Sequence, residues 1–409
     1  MKLRRILARV HRYSGLALLL FVLIAAATGS VLVFAYEIDR WLNPELLRVT
    51  APPDAKAQPL ATQIAAAQRR QEAWADGPWQ PISLMPGRTG QDASGILFQR
   101  PDPQRPGKSM FRQILVDPYS ARVLGERERT RARFDHAGAV RWLNDLHGRL
   151  LLDDTGRQIM GVAAILWTLS SLAGLVLWWP GRRKLRLALT IKWQAGTARR
   201  NYDLHRAVGF YSLPVLFLVA LSGIYLAWPS EIRRAAENLT EIRGAPLPRG
   251  SAKPSPNAAP GITVDAAVAI ARQAFPAGEL RRIALPRRAG DVYSIALLLP
   301  GEVQRPLTAR STVWIDPSDG QILKIYDATR AGIGDTLLDW QTPLHAGTAF
   351  GLPGRIAVAL AGIAGVLLSI TGFLVWQRRH HASRQARRQR NPQATSKADT
   401  CPLLAPQKG

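Results

Sequence analysis

The chain has 409 residues, 47% of them hydrophobic, with a net charge of +25 and a single cysteine, Cys401. That cysteine count excludes a disulfide framework and a thiolate metal site, and the length allows two or three domains. The mean hydropathy of −0.05 would suit a soluble protein, but it averages four charge-free apolar runs (14–36, 158–180, 207–230 and 356–377) with strongly charged stretches between them.

Residues 1–36 open with five Lys/Arg and no acid over 1–12, then enter the first run. The run matches the ~20 residues that cross a ~30 Å hydrocarbon core as helix. Ala25-Ala26-Ala27 resembles a cleavage site, but 23 charge-free residues exceed a signal-peptide core, so the segment reads as a retained anchor. Residues 37–156 hold 17 Lys/Arg against 15 acids. Their pattern predicts a helix over 58–74, strands over 95–99 and 112–116, a loop over 101–108 and a turn at Tyr119-Ser120.

The second span is expected over 157–180, followed by a basic loop, 181–206, with eight Lys/Arg against Asp203. The third span covers 207–230. Residues 231–353 are again nearly balanced, with 14 Lys/Arg against 12 acids. After a linker over 244–261 they predict a helix over 262–275, with Thr263 as N-cap and Pro276 as stop. Strands over 293–299, 311–315 and 321–326 follow, the last two joined by Asp316-Pro317-Ser318-Asp319-Gly320. The fourth span is 354–377, and 378–409 is a basic tail, expected to be disordered, with eight Lys/Arg against Asp399.

The excess charge is therefore confined to both termini and the 181–206 loop. Clusters of this kind in short segments beside spans set orientation and place those segments in the cytoplasm. The basicity needs no nucleic-acid partner. The two long segments are expected on the other side.

The two halves align. His11-Arg12 with Gly15 matches His205-Arg206 with Gly209, and Thr28-Gly29 matches Ser222-Gly223, each glycine 18 residues after its histidine. Eighteen residues are five helical turns, so histidine and glycine share a face. His147 and His345 are each preceded at five residues by Trp142 and Trp340. Gly156-Arg157 and Gly354-Arg355 follow at nine and ten, Gly174 and Gly372 at 27, and Trp178 and Trp376 at 31. Asp117-Pro118 and Asp316-Pro317 lie 30 and 29 residues before those histidines. The expected architecture is a mainly α membrane protein with four transmembrane helices in two parallel repeats and two external α+β domains.

The helix, sheet and Ile-Asp-Pro-x-x-Gly turn, best in 261–327, resemble a PepSY domain. The His-Arg-x-x-Gly helices and the later histidine-bearing ones resemble PepSY-associated transmembrane proteins over residues 5–380. In 37–156 the turn glycine is missing, and Ala121 stands nearest. That family includes iron-regulated inner-membrane proteins and ferric-siderophore reductases. The resemblance implies a bacterial inner-membrane location with periplasmic loops, haem ligation by the repeated histidines, and a ferric siderophore or other Fe(III) chelate as electron acceptor.

Of seven histidines, four form the repeat: His11 and His205 at the cytoplasmic ends of spans one and three, His147 and His345 on the external approaches to spans two and four. Any one alone reads as a packed interfacial histidine. Two symmetric pairs at matched depth point to ligation. No cysteine or carboxylate lies near enough to complete a zinc site, whereas facing imidazoles suit two b-type haems. Gly15, Gly29, Gly209 and Gly223 would admit a macrocycle, or equally pack helices. Arg157 and Arg355 are candidate propionate ligands, with interfacial snorkelling as the alternative. Trp142, Trp178, Trp340 and Trp376 read as interface aromatics. His136 reads as a loop residue and His380-His381 as tail.

The function expected from these features is a di-haem inner-membrane oxidoreductase. No G-x-G-x-x-G opens a helix after a strand, so electrons would come from a separate flavoprotein or quinol. The alternative is a PepSY-type regulatory module acting on an envelope partner or protease without redox activity. A proton-coupled transporter fits poorly, because the spans carry no acidic relay.

Overall fold

The computed structural model describes residues 2–130, 133–244, 247, 261–306 and 308–390. In chain order the helices and strands are α1 (Lys2–Leu32), α2 (Ala35–Leu42), α3 (Pro44–Leu47), α4 (Leu60–Glu72), β1 (Gln80–Met85), β2 (Ser94–Pro101), β3 (Ser109–Val116), β4 (Val123–Glu128), α5 (Ala139–Arg149), α6 (Asp153–Trp178), α7 (Leu185–Leu189), α8 (Thr197–Ala227), α9 (Pro229–Glu237), α10 (Val264–Ala274), β5 (Glu279–Ala284), β6 (Tyr293–Leu298), β7 (Thr312–Ile315), β8 (Ile322–Tyr326), α11 (Ile333–Ala346) and α12 (Gly351–Arg390).

Among the described residues four helical stretches are long and apolar enough to cross a membrane: Lys2–Leu32, Asp153–Trp178, Thr197–Ala227 and Thr348–Gln385, with mean hydropathy between 2.0 and 2.4. Each contains most of one run expected from sequence (14–32, 158–178, 207–227 and 356–377), the first three runs passing the helix C-termini by two to four residues. The helices also extend past the apolar boundaries, because a hydrogen-bonded ladder of good helix formers does not stop where polarity changes. Most consequentially, α12 continues to Arg390, through the first part of the tail expected to be disordered. Its Arg, Gln and Ala residues favour helix, and the His380 ring stacks on Trp376 one turn back, with centroids 5.3 Å apart. Residues 391–409, with Cys401, lie outside the described residues, as does most of the 244–261 linker.

The chain forms two compact units. The first comprises the stretches up to Ala27, Ile165–Phe217 and from Ala361 onward; the second comprises Thr28–Ala164 and Leu218–Leu360. In the first, a Cβ at Gly365 would lie 3.0 Å from the Ala26 methyl. The small pair lets α12 approach α1 closely, as small residues do in membrane helices.

The second unit contains an eight-stranded antiparallel sheet in the order β4-β3-β2-β1-β5-β6-β7-β8. Each half contributes a helix followed by a four-stranded meander. The halves meet where β1 pairs with β5, Ser83 opposite Ala284 and Leu84 opposite Ile283. One core is shared by both: Ile64, Leu84, Ile96, Phe98 and Ile114 of the first half pack with Val268, Ile283, Ile295 and Val313 of the second. The expectation of two separate external domains is therefore corrected. An exposed β1 or β5 edge would leave a row of unpaired backbone groups, and joining them removes both edges.

Asp265 binds the halves further. Its carboxylate accepts from the first N–H groups of α4, Leu60 at 2.8 Å and Ala61 at 3.0 Å, so a residue in the first turn of α10 caps the other half's helix. Thr263 caps α10 as expected, accepting from the Ala266 N–H. The helix over 58–74 is observed as Leu60–Glu72 and the helix over 262–275 as Val264–Ala274. Strands β1, β4 and β5 are additional to those read from sequence.

The two Asp-Pro turns are built alike. Asp117 N–H donates to the Arg122 carbonyl and Ala121 N–H to Asp117; Asp316 N–H donates to Gln321 and Gly320 N–H to Asp316. Ala121 has φ +54° where Gly320 has φ +78°. The missing turn glycine is thus replaced by an alanine held in the left-handed region.

Candidate functional site

In the first unit His11 on α1 and His205 on α8 bring their rings to 6.4 Å between centroids, at 63°. His11 Nδ1 donates to the Ser170 carbonyl at 3.0 Å on α6, with Ser170 Oγ also at 3.1 Å. His205 Nδ1 lies 3.0 Å from Thr371 Oγ1 on α12. That hydroxyl spends its own proton on the Leu367 carbonyl, so it accepts from the imidazole. Each ring rests on a glycine: a Cβ at Gly174 would stand 3.0 Å from His11 Cε1, and one at Gly372 3.1 Å from His205 Cε1. The repeat at 27 residues therefore preserves the floor under each ring.

A cavity of about 450 Å³ adjoins this pair. Its walls are apolar and aromatic, with Leu18, Val22, Trp178, Phe210, Leu213 and Trp376 among them. Gly15 and Gly209 line it too; a Cβ at Gly15 would meet nothing within 4 Å, and one at Gly209 only Leu368. Trp178 stacks on Phe210, with centroids 4.0 Å apart. Two of the tryptophans read as interface aromatics are thus part of the cavity wall. Their spacing after the histidines carried that signal, but a tryptophan near a span end reads equally as an anchor.

The second unit holds the other pair. His147 lies on α5 and His345 on α11, short helices that precede the spans, and their ring centroids are 6.0 Å apart at 66°. His147 Nδ1 is 3.0 Å from Thr28 Oγ1. His345 Nδ1 donates to the Val219 carbonyl at 3.0 Å and has Ser222 Oγ at 3.1 Å, a hydroxyl that itself donates to Leu218. Gly29 and Gly223 lie under these rings, with Cβ positions 3.0 and 3.5 Å from the respective Cε1 atoms. His345, on α11 outside the four spans, is held down to about 4 by burial and by the neighbouring His147, and is neutral at pH 7.

The corners that deliver α5 and α11 to the spans explain another repeated position. A Cβ at Gly156 would collide with the Arg149 carbonyl, and one at Gly354 with the Gly347 carbonyl. Only glycine allows the chain to reverse this tightly after each histidine helix.

These contacts fix the chemistry of the imidazoles. A backbone carbonyl only accepts, so Nδ1 of His11 and of His345 carries the proton and Nε2 presents a lone pair. Such a lone pair takes a proton donor or an electrophile. If each imidazole reached one metal ion at about 2.0–2.1 Å through one nitrogen, the ring centres, ~1.1 Å further back, would be roughly 6.2–6.4 Å apart. The observed 6.4 Å lies at the upper end of that span and 6.0 Å about 0.2 Å below it. Among the described residues no group of three His, Cys, Asp or Glu gathers around either pair. A haem would therefore be held by these imidazoles alone, and the apolar slot beside His11 and His205 suits an apolar macrocycle.

Arg157 and Arg355 do not reach the rings. Arg355 donates to the Val33 carbonyl from Nε at 3.1 Å and Nη2 at 2.8 Å, and pairs with both Glu37 oxygens at 2.8 and 2.7 Å. Arg157 donates to the Ala227 carbonyl. Val33 and Ala227 are equivalent positions just at the ends of α1 and α8. In this structure both guanidiniums satisfy terminal carbonyls at the negative end of a helix dipole. His136 sits in an exposed turn and His380 and His381 in the α12 extension, apart from either pair.

A family model described as PepSY-associated TM region matches residues 8–379. The chain belongs to that family. No curated protein matches it.

Proposed function

We propose, from that membership and the two imidazole pairs, that the protein is a di-haem inner-membrane oxidoreductase. His11 and His205 hold one b-type haem and His147 and His345 the other. Bound haem supplies one-electron Fe(III)/Fe(II) chemistry. The chain's part is to present neutral Nε2 lone pairs through carbonyl and hydroxyl acceptors on Nδ1, which also raise imidazole basicity. Gly174, Gly372, Gly29 and Gly223 give the rings room, and the apolar walls near His11 and His205 exclude water. The positive-inside distribution assigns His11 and His205 to the cytoplasmic face, where a flavoprotein or quinol gives electrons, and His147 and His345 to the periplasmic face. The family resemblance makes the acceptor there a ferric siderophore or other Fe(III) chelate. In this reading the two halves are tandem repeats, and each contributes one PepSY-like half of the joined sheet.

The observation that carries the proposal is the Nδ1 arrangement, two carbonyl-bound imidazoles facing two partners at the separation of a shared ion. The test is the absorbance spectrum of the purified protein with and without dithionite. A reducible b-type Soret and α-band is expected. A folded, colourless preparation that takes up no haem would end the proposal.

A further inference from the structure

The cavity beside His11 and His205 is apolar in its walls but not at its rim. Four arginines line it, Arg4 and Arg12 from α1, Arg206 from α8 and Arg379 from α12, and no acidic residue does. Their engagement is incomplete. Arg4 gives one hydrogen bond, to the Leu177 carbonyl. Arg12 and Arg379 make no hydrogen bond or ion pair with the described residues. Arg206 pairs with Asp203 at 3.1 Å and donates to the Leu187 carbonyl at 2.5 Å, yet its Nε is buried without a hydrogen-bond partner. The buried unmatched donor of Arg206 costs free energy, while Arg4, Arg12 and Arg379 are exposed at the cavity mouth with donors left over. An anionic ligand group at the rim removes that cost.

We propose that Arg4, Arg12, Arg206 and Arg379 form a carboxylate-binding rim that reads the two acidic side chains of the macrocycle held between His11 and His205. This rests on the haem reading above and deepens it. Guanidinium forks bind carboxylates bidentately, so the rim fixes which edge of the macrocycle faces the arginine-bearing end of the cavity. It replaces Arg157 and Arg355, whose donors are committed to helix ends. Anionic lipid phosphate is the other source of matching chemistry, and the experiment separates the two.

The full-length chain carrying His345→Ala, which retains only this pair, is stripped of haem and placed in zwitterionic lipid nanodiscs. It is titrated with haem b and with its dimethyl ester, which keeps the iron and ring but lacks both charges. The Soret band reports binding, with no turnover involved. The free acid is expected to bind about tenfold or more tightly than the diester. Arg379→Gln and Arg206→Gln should each narrow that ratio while leaving diester affinity unchanged. Equal affinity for acid and diester in the parent, or equal loss for both in the variants, overturns the rim. So does an acid preference that disappears when the nanodiscs carry phosphatidylglycerol, because the guanidiniums then hold lipid phosphate. Failure to bind either macrocycle overturns the haem reading as well, and is distinct from binding both alike.

Discussion

Arg355, at the start of one spanning helix, closes the end of another by donating twice to the Val33 carbonyl. Its guanidinium also lies over the Phe34 ring at 4.7 Å and forks onto Glu37, a carboxylate whose side chain is 49% exposed. Solvent screening reduces the ion pair to a minor contribution; the terminal carbonyls are the larger stake. Arg355→Gln is expected to lower stability by about 1–2 kcal/mol, measured as a drop in thermal midpoint of the detergent-solubilised protein. Haem content should be unchanged. Loss of one haem's absorbance would instead give this arginine a ligand role.

His205→Ala offers the complementary test. If each pair holds one haem as proposed, removing this imidazole should abolish about half of the reducible absorbance, and His345→Ala the other half. A double variant carrying both should be colourless. If His205→Ala and His345→Ala each abolished all absorbance, the two pairs would not be independent sites.

How much of this was legible before the structure depends on the range of the interaction. Spans, turns and the histidine register are local or periodic signals, and all were readable. The junction of β1 with β5 was not, because neither strand has strict alternation and the pairing partners are some 200 residues apart. The Nδ1 partners were half visible: Thr28 and Ser222 stood beside repeated glycines, but nothing local says that a hydroxyl will face a ring on a separate helix. Arg157 and Arg355 were visible as repeated positions, but ten residues past a histidine does not say that a guanidinium meets the last carbonyl of another helix.

Ala121 supplies a stability test of the repeated turn. It occupies φ +54°, a region that costs an L-residue roughly 1 kcal/mol and glycine little. Ala121→Gly should therefore stabilise the sheet unit by about 0.5–1 kcal/mol, despite the added freedom of the unfolded chain, and Gly320→Ala should destabilise by a similar or larger amount. Urea unfolding followed by tryptophan fluorescence would register both. A destabilising Ala121→Gly would mean that the left-handed conformation is not what limits the turn.

The glycine floors lead to a sharper site test. A Cβ at Gly174 would sit 3.0 Å from His11 Cε1, and the position is tight against the ring rather than the backbone. Gly174→Val adds bulk beyond that contact, so His11 has to rotate away from the Ser170 carbonyl that sets its tautomer. The expected result is loss of the haem assigned to His11 and His205, with the other site intact and helix content unchanged by circular dichroism.

On the proposed haem reading, Thr371 and Ser222 would tune the iron rather than bind it. Each hydroxyl accepts from an Nδ1 while donating to its own helix, Thr371 to Leu367 at 2.6 Å and Ser222 to Leu218 at 2.8 Å, so it is fixed as an acceptor. Weakening acceptance at Nδ1 makes the imidazole a poorer electron donor, which disfavours Fe(III) more than Fe(II). Thr371→Ala should raise the midpoint potential of the His11–His205 site by about 20–60 mV, the one-electron equivalent of a hydrogen bond contributing roughly 0.5–1.5 kcal/mol. Ser222→Ala should raise the other site by less, because the Val219 carbonyl still accepts from His345 at 3.0 Å. Redox titration of each variant reads both shifts separately. A negative shift, or equal shifts at both sites, would remove the hydroxyls from the account of how this chain sets its potentials.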